Sequence, residues 1–154
     1  MHLKLLFLIQ CIILNISIVE AQSTSDYKLV WADEFNKSGA PDSSNWTYEK
    51  GLVRNHEFQW YQPQNARCEN GKLVIEAKKV EKPNPSYVAG SRDWRKSRDS
   101  IHYTSACLIT RGIHSWQYGR FIMRARIDIN SGLWPAWWTL GLHESWPANG
   151  EIDI

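Results

Sequence analysis

Between Gly119 and Ile129 apolar and charged side chains alternate, with Ile122 the one exception. Phe121, Met123, Ala125, Ile127 and Ile129 fall on one side, and Arg120, Arg124, Arg126 and Asp128 on the other. A period of two is that of an extended chain, so the pattern predicts a half-buried β-strand. The rest of the chain reads alike. Residues 27–35, 46–48, 67–69, 72–78, 103–110 and 134–142 are further strand candidates, and another strand is expected to begin at Glu151. Turn chemistry separates them: the polar stretch 36–42 carries Gly39 and Pro41, Asn70-Gly71 suits a tight hairpin, and Arg111-Gly112 ends the 103–110 candidate. In the second arm of that hairpin Leu73, Ile75 and Ala77 share the face expected to be buried. No run of ten or more residues after the leader has helical periodicity, and no repeat is present. Many short strands between regular turn signals argue for an antiparallel sandwich or barrel.

The chain has 154 residues, a single-domain length that suffices for a core. A formal net charge of +2 gives no strong field, so neither nucleic acid nor an anionic membrane surface is implied as a partner. Nine tryptophans are the anomaly: they make either a heavily aromatic core or rings displayed in a groove for a flat ligand such as carbohydrate. His2 and Lys4, the apolar run 5–19 and the small-residue site Val19-Glu20-Ala21 have the form of a secretory signal peptide. Interrupted by Gln10 and Asn15, the run is short for a membrane span, and the bulky residues before Cys11 argue against lipidation. Residues 1–21 are therefore read as a signal peptide and 22–154 as the exported part, secreted or periplasmic.

That part keeps Cys68 and Cys107, for which a disulfide and two buried thiols are equally compatible. His56-Glu57 lacks the second histidine of a zincin, and no comparable metal motif occurs. Residues 81–99, with Pro83, Pro85 and a basic run over 92–98, read as a solvated loop in which Trp94 alone suggests the edge of a cleft. The last stretch is Gly150-Glu151-Ile152-Asp153-Ile154. On a strand its two carboxylates share one face and both isoleucines point into a core. An acid pair on a solvated face is the plain alternative. Upstream, Trp134 and Trp138 offer flat apolar faces, while Trp137 alternates with them and is assigned to the core.

Several segments taken together resemble glycoside hydrolase family 16, and within it the laminarinase-like endo-β-1,3-glucanases. They are Leu29-Val30-Trp31-Ala32-Asp33-Glu34-Phe35, Asn55-His56-Glu57-Phe58-Gln59-Trp60-Tyr61, Asn70-Gly71-Lys72-Leu73-Val74-Ile75, and Tyr103-Thr104-Ser105-Ala106. Tyr118-Gly119-Arg120-Phe121, Gly132-Leu133-Trp134-Pro135-Ala136-Trp137-Trp138 and Trp146-Pro147-Ala148-Asn149-Gly150-Glu151-Ile152-Asp153-Ile154 follow in the same order. The resemblance implies an all-β concanavalin A-like β-jelly roll with the sugar groove on its concave face, and retaining hydrolysis within a β-glucan chain.

By position, Glu151 resembles the nucleophile and Asp153 the acid between the catalytic pair. Trp134 and Trp138 resemble groove-wall aromatics, and Asn55 and Tyr61 belong to a segment that contributes substrate contacts. Retaining hydrolysis needs two carboxyl groups about 5–5.5 Å apart. The family's second one, a glutamate, follows one or two positions after Ile154, so the resemblance identifies residues 22–154 as the N-terminal part of a catalytic domain, inactive alone. No cofactor is required; a structural calcium is compatible with the family, although no cluster of oxygen ligands demands one. A monomer acting on β-glucan, laminarin-like or mixed-linkage, is expected, with no membrane partner after signal cleavage. The alternatives are a galactan hydrolase (agar or carrageenan) and a non-catalytic β-glucan-recognition protein on the same fold. Asn36 and Asn45 match the N-glycosylation pattern.

Overall fold

The computed structural model describes residues 26–154. The expected signal peptide, with Cys11, lies outside them. The chain divides into two compact units, 1–31 and 32–154. Of the first, residues 26–31 are described and form no strand.

The second unit is built of short strands. They are β1 (Thr47–Tyr48), β2 (Gln59–Tyr61), β3 (Ala66–Glu69), β4 (Lys72–Ile75), β5 (Lys78–Pro83), β6 (Ser100–Ser105), β7 (Leu108–Ile109), β8 (Trp138–Leu140) and β9 (Glu151–Asp153). A one-turn helix α1 (Trp94–Ser97), N-capped by the Asp93 carboxylate through Arg95 N–H at 3.0 Å, lies between β5 and β6. The all-β class expected from the sequence is what the chain adopts. β2, β6 and β5 form a three-stranded sheet in which β2 runs parallel to β6 and β5 antiparallel to it. The other pairs, β1–β7, β3–β4 and β8–β9, are antiparallel. Asn70 and Gly71, both at positive φ (51° and 67°), make the β3–β4 turn that their residue types predict.

Polar groups hold the centre as much as apolar ones. Ile101, Leu52, Ala106, Cys68 and Cys107 are buried, and so are Asn65, Asn84 and Thr104. Asn65 donates through Nδ2 to the Glu76 carbonyl at 2.6 Å and to Thr104 Oγ1 at 3.1 Å, tying the start of β3 to the end of β4 and to β6. Asn84 does the same for the basic loop, donating to the carbonyls of Arg95 and Arg98 at 2.9 and 2.8 Å. The loop expected merely to be solvated is thus pinned from beneath. Asp33 accepts the indole N–H of Trp46 at 2.8 Å, the amide of Asn45 at 3.2 Å and the backbone N–H of Phe35 at 2.9 Å. Asn45, read from its sequence pattern as a glycan acceptor, therefore has its amide engaged. The two cysteines are both buried and unlinked.

Several strand expectations are corrected. Residues 27–35 form no strand, and Phe35 takes φ 51° as the chain turns toward Trp46. The 72–78 arm breaks after Ile75, because Glu76 pairs with Asn65 rather than with β3, and Ile75 and Ala77 are exposed. The 103–110 candidate starts earlier, at Ser100, and is split at Ala106-Cys107. Residues 119–129 pair with no described strand, and their apolar side chains are exposed, Ile129 at 93%. Alternation decides which side chains share a face but supplies no partner for the backbone, and without a ladder there is no strand. Within 134–142 only Trp138–Leu140 is paired.

Asn65→Ala leaves the Glu76 carbonyl and Thr104 hydroxyl without their donor. The expected cost is about 1–3 kcal/mol, read as a lowered midpoint in denaturant unfolding. An unchanged midpoint contradicts the role given to Asn65.

Candidate active site

The acid pair sits on the hairpin β8–β9. Register pairs Trp138 with Asp153, Thr139 with Ile152 and Leu140 with Glu151. Residues directly opposite each other in an antiparallel pair point to the same side, so Trp138, Leu140, Glu151 and Asp153 share one face. Thr139 and Ile152 take the other. The carboxylates alternate as expected, but the isoleucines are not in a core: Ile152 is 67% exposed and Ile154 also lies open. The far face of this two-stranded hairpin has no described sheet against it.

The connection 141–150 is tightly closed. A Cβ on Gly141 would stand 2.0 Å from the Asn149 carbonyl oxygen, a contact no side chain tolerates. Asn149 Nδ2 donates to the Gly141 carbonyl at 3.0 Å, Gly141 N–H to Gly150 O at 3.3 Å, and Gly150 N–H to Pro147 O at 3.1 Å. The outcome is chemical. Trp146 is folded back so that its indole Nε1–H donates to Glu151 Oε2 at 2.6 Å. A donor on one carboxylate oxygen orients the group and leaves the second oxygen free to act.

A second group of residues reaches the same face. Residues 54–57 form a turn closed by Glu57 N–H on Arg54 O at 3.0 Å, with Asn55 and His56 both at positive φ (54° and 55°). Asparagine tolerates that conformation better than most residues, and Asn55 is thereby left at an exposed turn tip. In β2, Gln59 and Tyr61 point to one side: Gln59 Nε2 donates to Tyr61 Oη at 2.8 Å, and Tyr61 Oη donates to Glu57 Oε2 at 3.1 Å. Tyr61 is 8% exposed, and burial, with the nearby Glu57 carboxylate, pushes its phenol up to about 12. It is a neutral, engaged hydroxyl.

Arg54 joins the two groups. Its guanidinium pairs with Glu49, lies 4.0 Å from Glu57 Oε2, and stands 5.8 Å from the Tyr61 ring centroid and 5.5 Å from that of Trp138. Burial works against its charge, but the Glu49 hydrogen bond and field outweigh it and hold the pKa above the usual value. The cation stays charged and spans from β2 to the acid-bearing hairpin.

Of the residues singled out in the sequence, Trp138, Glu151 and Asp153 share one face, and Tyr61 is linked to them through Arg54. Trp134, 92% exposed, lies in the unpaired segment before β8. Arg54 and Trp146 were not foreseen. The motif around Asn55 carries Arg54 next to it and that around Glu151 carries Trp146, yet nothing in the spacing tells that one meets Trp138 and the other a carboxylate. Among the described residues no group of three or more His, Cys, Asp or Glu is placed to hold a metal ion.

No family model matches the chain. It is 41% identical over 138 residues to a β-glucanase of Rhodothermus marinus, an alignment covering 83% of this chain and 43% of that protein. Among solved structures, a non-specific endo-β-1,3(4)-glucanase of glycoside hydrolase family 16 superposes with a TM-score of 0.63 at 37% identity, covering 84% of this chain and 48% of that one. A structure from work on the endo-acting O-glycanases with which human gut bacteria initiate mucin breakdown gives a TM-score of 0.77 at 37% identity, over 85% and 48%. The chain thus spans about half the length of these three relatives, and its fold is that of the β-jelly-roll glucanases.

Gly141→Ala forces the Asn149 carbonyl away. The variant is expected to lose about 1–3 kcal/mol, seen as a melting temperature several degrees lower. A variant as stable as the parent contradicts the close approach.

Proposed function

Since the chain belongs to glycoside hydrolase family 16, in its laminarinase-like branch, we propose that the whole enzyme hydrolyses β-1,3-glucan within the chain, with retention at the anomeric carbon. The observation that carries this reading is the β8–β9 register, which gives Glu151, Asp153 and Trp138 a common face, with Glu151 held by Trp146. Glu151 attacks the anomeric carbon and forms a glycosyl-enzyme intermediate. Asp153, on the same strand face, helps keep Glu151 oriented and ionised. The general acid/base is a glutamate just after Ile154, and residues 22–154 are the first part of a catalytic domain exported by the signal 1–21.

The share of these two relatives covered, 43% and 48%, supports a longer catalytic domain. So do the exposed apolar residues Ile129 and Ile152, which a further sheet would cover. Trp138 supplies a flat wall beside the cleaved bond, and Trp134 a second one. Asn55 reaches substrate from its turn. Tyr61, buried and hydrogen-bonded, acts by supporting Arg54 and thereby Trp138. The protein acts as a secreted monomer on laminarin-like or mixed-linkage glucan.

In the full-length protein, Glu151→Gln is expected to abolish release of reducing ends from laminarin. Undiminished activity removes Glu151 as the nucleophile. Trp146→Phe keeps the ring and removes the donor. A hydrogen bond to a charged group contributes about 1.5–3 kcal/mol, so kcat/KM should fall roughly ten- to a hundredfold. An unchanged kcat/KM rules out a function for that contact.

A further inference from the structure

On the side of β2 that does not face Arg54 lies a cavity of about 300 Å³. Trp60 alternates with Gln59 and Tyr61 and so points the other way. Its indole is one wall. Lys50, Arg95, Lys96, Ser86 and Asp93 line the rest. The wall is held by main chain: Gly51, at φ 87°, exchanges two backbone hydrogen bonds of 2.9 Å with Tyr61, and a Cβ built on it would stand 3.6–3.9 Å from the six-membered ring of Trp60. Lys82 approaches the same indole, its Nζ 5.9 Å from the ring centroid, while donating to Gln62 Oε1 at 2.9 Å.

Charge is unbalanced here. Asp93 is the one carboxylate of the lining, and it already caps α1 and pairs with Arg95 Nε at 2.9 Å. Lys50 and Lys96 have no ion-pair partner among the described residues. The arrangement thus joins an aromatic wall, one hydroxyl and two ammonium groups outside any ion pair, Lys96 lying in the field of Asp93, with the outer guanidinium nitrogens of Arg95 beside them. The loop that brings Arg95 and Lys96 to this position is anchored by the buried Asn84 amide, so the cations sit on a pinned segment.

We propose that this cavity is a second carbohydrate-binding site, distinct from the acid face, which takes a pyranose residue bearing an anionic substituent, either a sulfate ester or a carboxylate. The sugar ring lies against Trp60, the anion meets Lys50 and Lys96, and Ser86 accepts or donates to a ring hydroxyl. Its volume, at the small end of ligand pockets, suits one sugar residue. The choice of a sugar rests on the glycan-hydrolase reading above; the choice of an anionic one rests on the cavity alone. Because Trp60 and Tyr61 point to opposite sides of one strand, such a site would hold an acidic polysaccharide without occupying the cleavage face.

The test uses the full-length protein and three probes of equal length: a neutral β-1,3-gluco-oligosaccharide, the same oligosaccharide sulfated, and the same oligosaccharide carboxymethylated. Binding is measured by calorimetry on Glu151→Gln, with and without the added pair Lys50→Gln and Lys96→Gln. At least one anionic probe should bind tighter than the neutral one, weaken at least tenfold in the Lys50/Lys96 variant, and weaken with added salt. The probe that does so names the anion. Hydrolysis of neutral laminarin by the Lys50→Gln/Lys96→Gln enzyme with Glu151 intact should equal that of the parent, which separates this site from the cleavage face. The proposal is overturned if neither anionic probe outbinds the neutral one, or if the lysine variant binds both as tightly as before. Failure of the parent enzyme to cleave laminarin would instead count against the glucanase reading, and the binding comparison would stand on its own.

Discussion

The pairing of Trp138 with Asp153 governs the acid face. Strand side chains have a period of two, so a slip of one residue between β8 and β9 would turn Glu151 and Asp153 to the side where Ile152 now lies. Three residue pairs hold the register, helped by Ile154 N–H on Trp137 O at 2.9 Å and by the Gly141–Gly150 and Gly141–Asn149 contacts at the hairpin's closed end. Each such hydrogen bond contributes only about 0.5–1.5 kcal/mol net, and a lone two-stranded hairpin is marginal in water. The glycine at 141 matters for this reason: it lets the loop close against its own backbone, and that closure fixes which side the acids take.

Arg54 supplies what the hairpin lacks internally. It touches Trp138 from outside while its charge is answered by Glu49 and, more distantly, Glu57. A half-buried cation is costly without such partners, and losing either member of the Arg54–Glu49 pair leaves the other charge poorly solvated. The same guanidinium lies over Tyr61, whose neighbour Trp60 faces away. One strand of three residues therefore serves two surfaces of opposite character, an aromatic and acidic one on the Tyr61 side and an aromatic and basic one on the Trp60 side.

What could be read from the residues followed physical locality. The β3–β4 turn was legible because Asn70-Gly71 demands positive φ and little else fits there. The alternation of Glu151 and Asp153 was legible because it needs only an extended backbone. Residues 119–129 have the strongest period in the chain and yet no ladder, since periodicity describes one strand and pairing requires two. The fate of Ile152 was misjudged on the same ground: alternation gave its side, and only neighbouring elements decide whether that side is covered. Arg54 and Trp146 act through contacts made by folding of the 54–57 and 141–150 turns, to which no spacing rule applies. The basic stretch 92–98 misled in another way. Arg92, Arg95 and Lys96 are exposed as their composition suggests, but Arg98 is half-buried and donates to the carbonyls of His56 and Glu57, and Asn84, a buried amide outside the stretch, holds the loop from beneath.

The open ribbon at 119–129 bears on how the protein is made. Every strand of the β2–β6–β5 sheet lies within residues 59–105, so that sheet can be completed while later codons are still being read. Phe121, Ile122, Met123, Ile127 and Ile129 then emerge from the ribosome exposed, with no described strand to receive them. An extended apolar stretch studded with arginine is a natural handle for a holding chaperone, and the delay before it finds cover is the interval in which the nascent chain is most prone to clump.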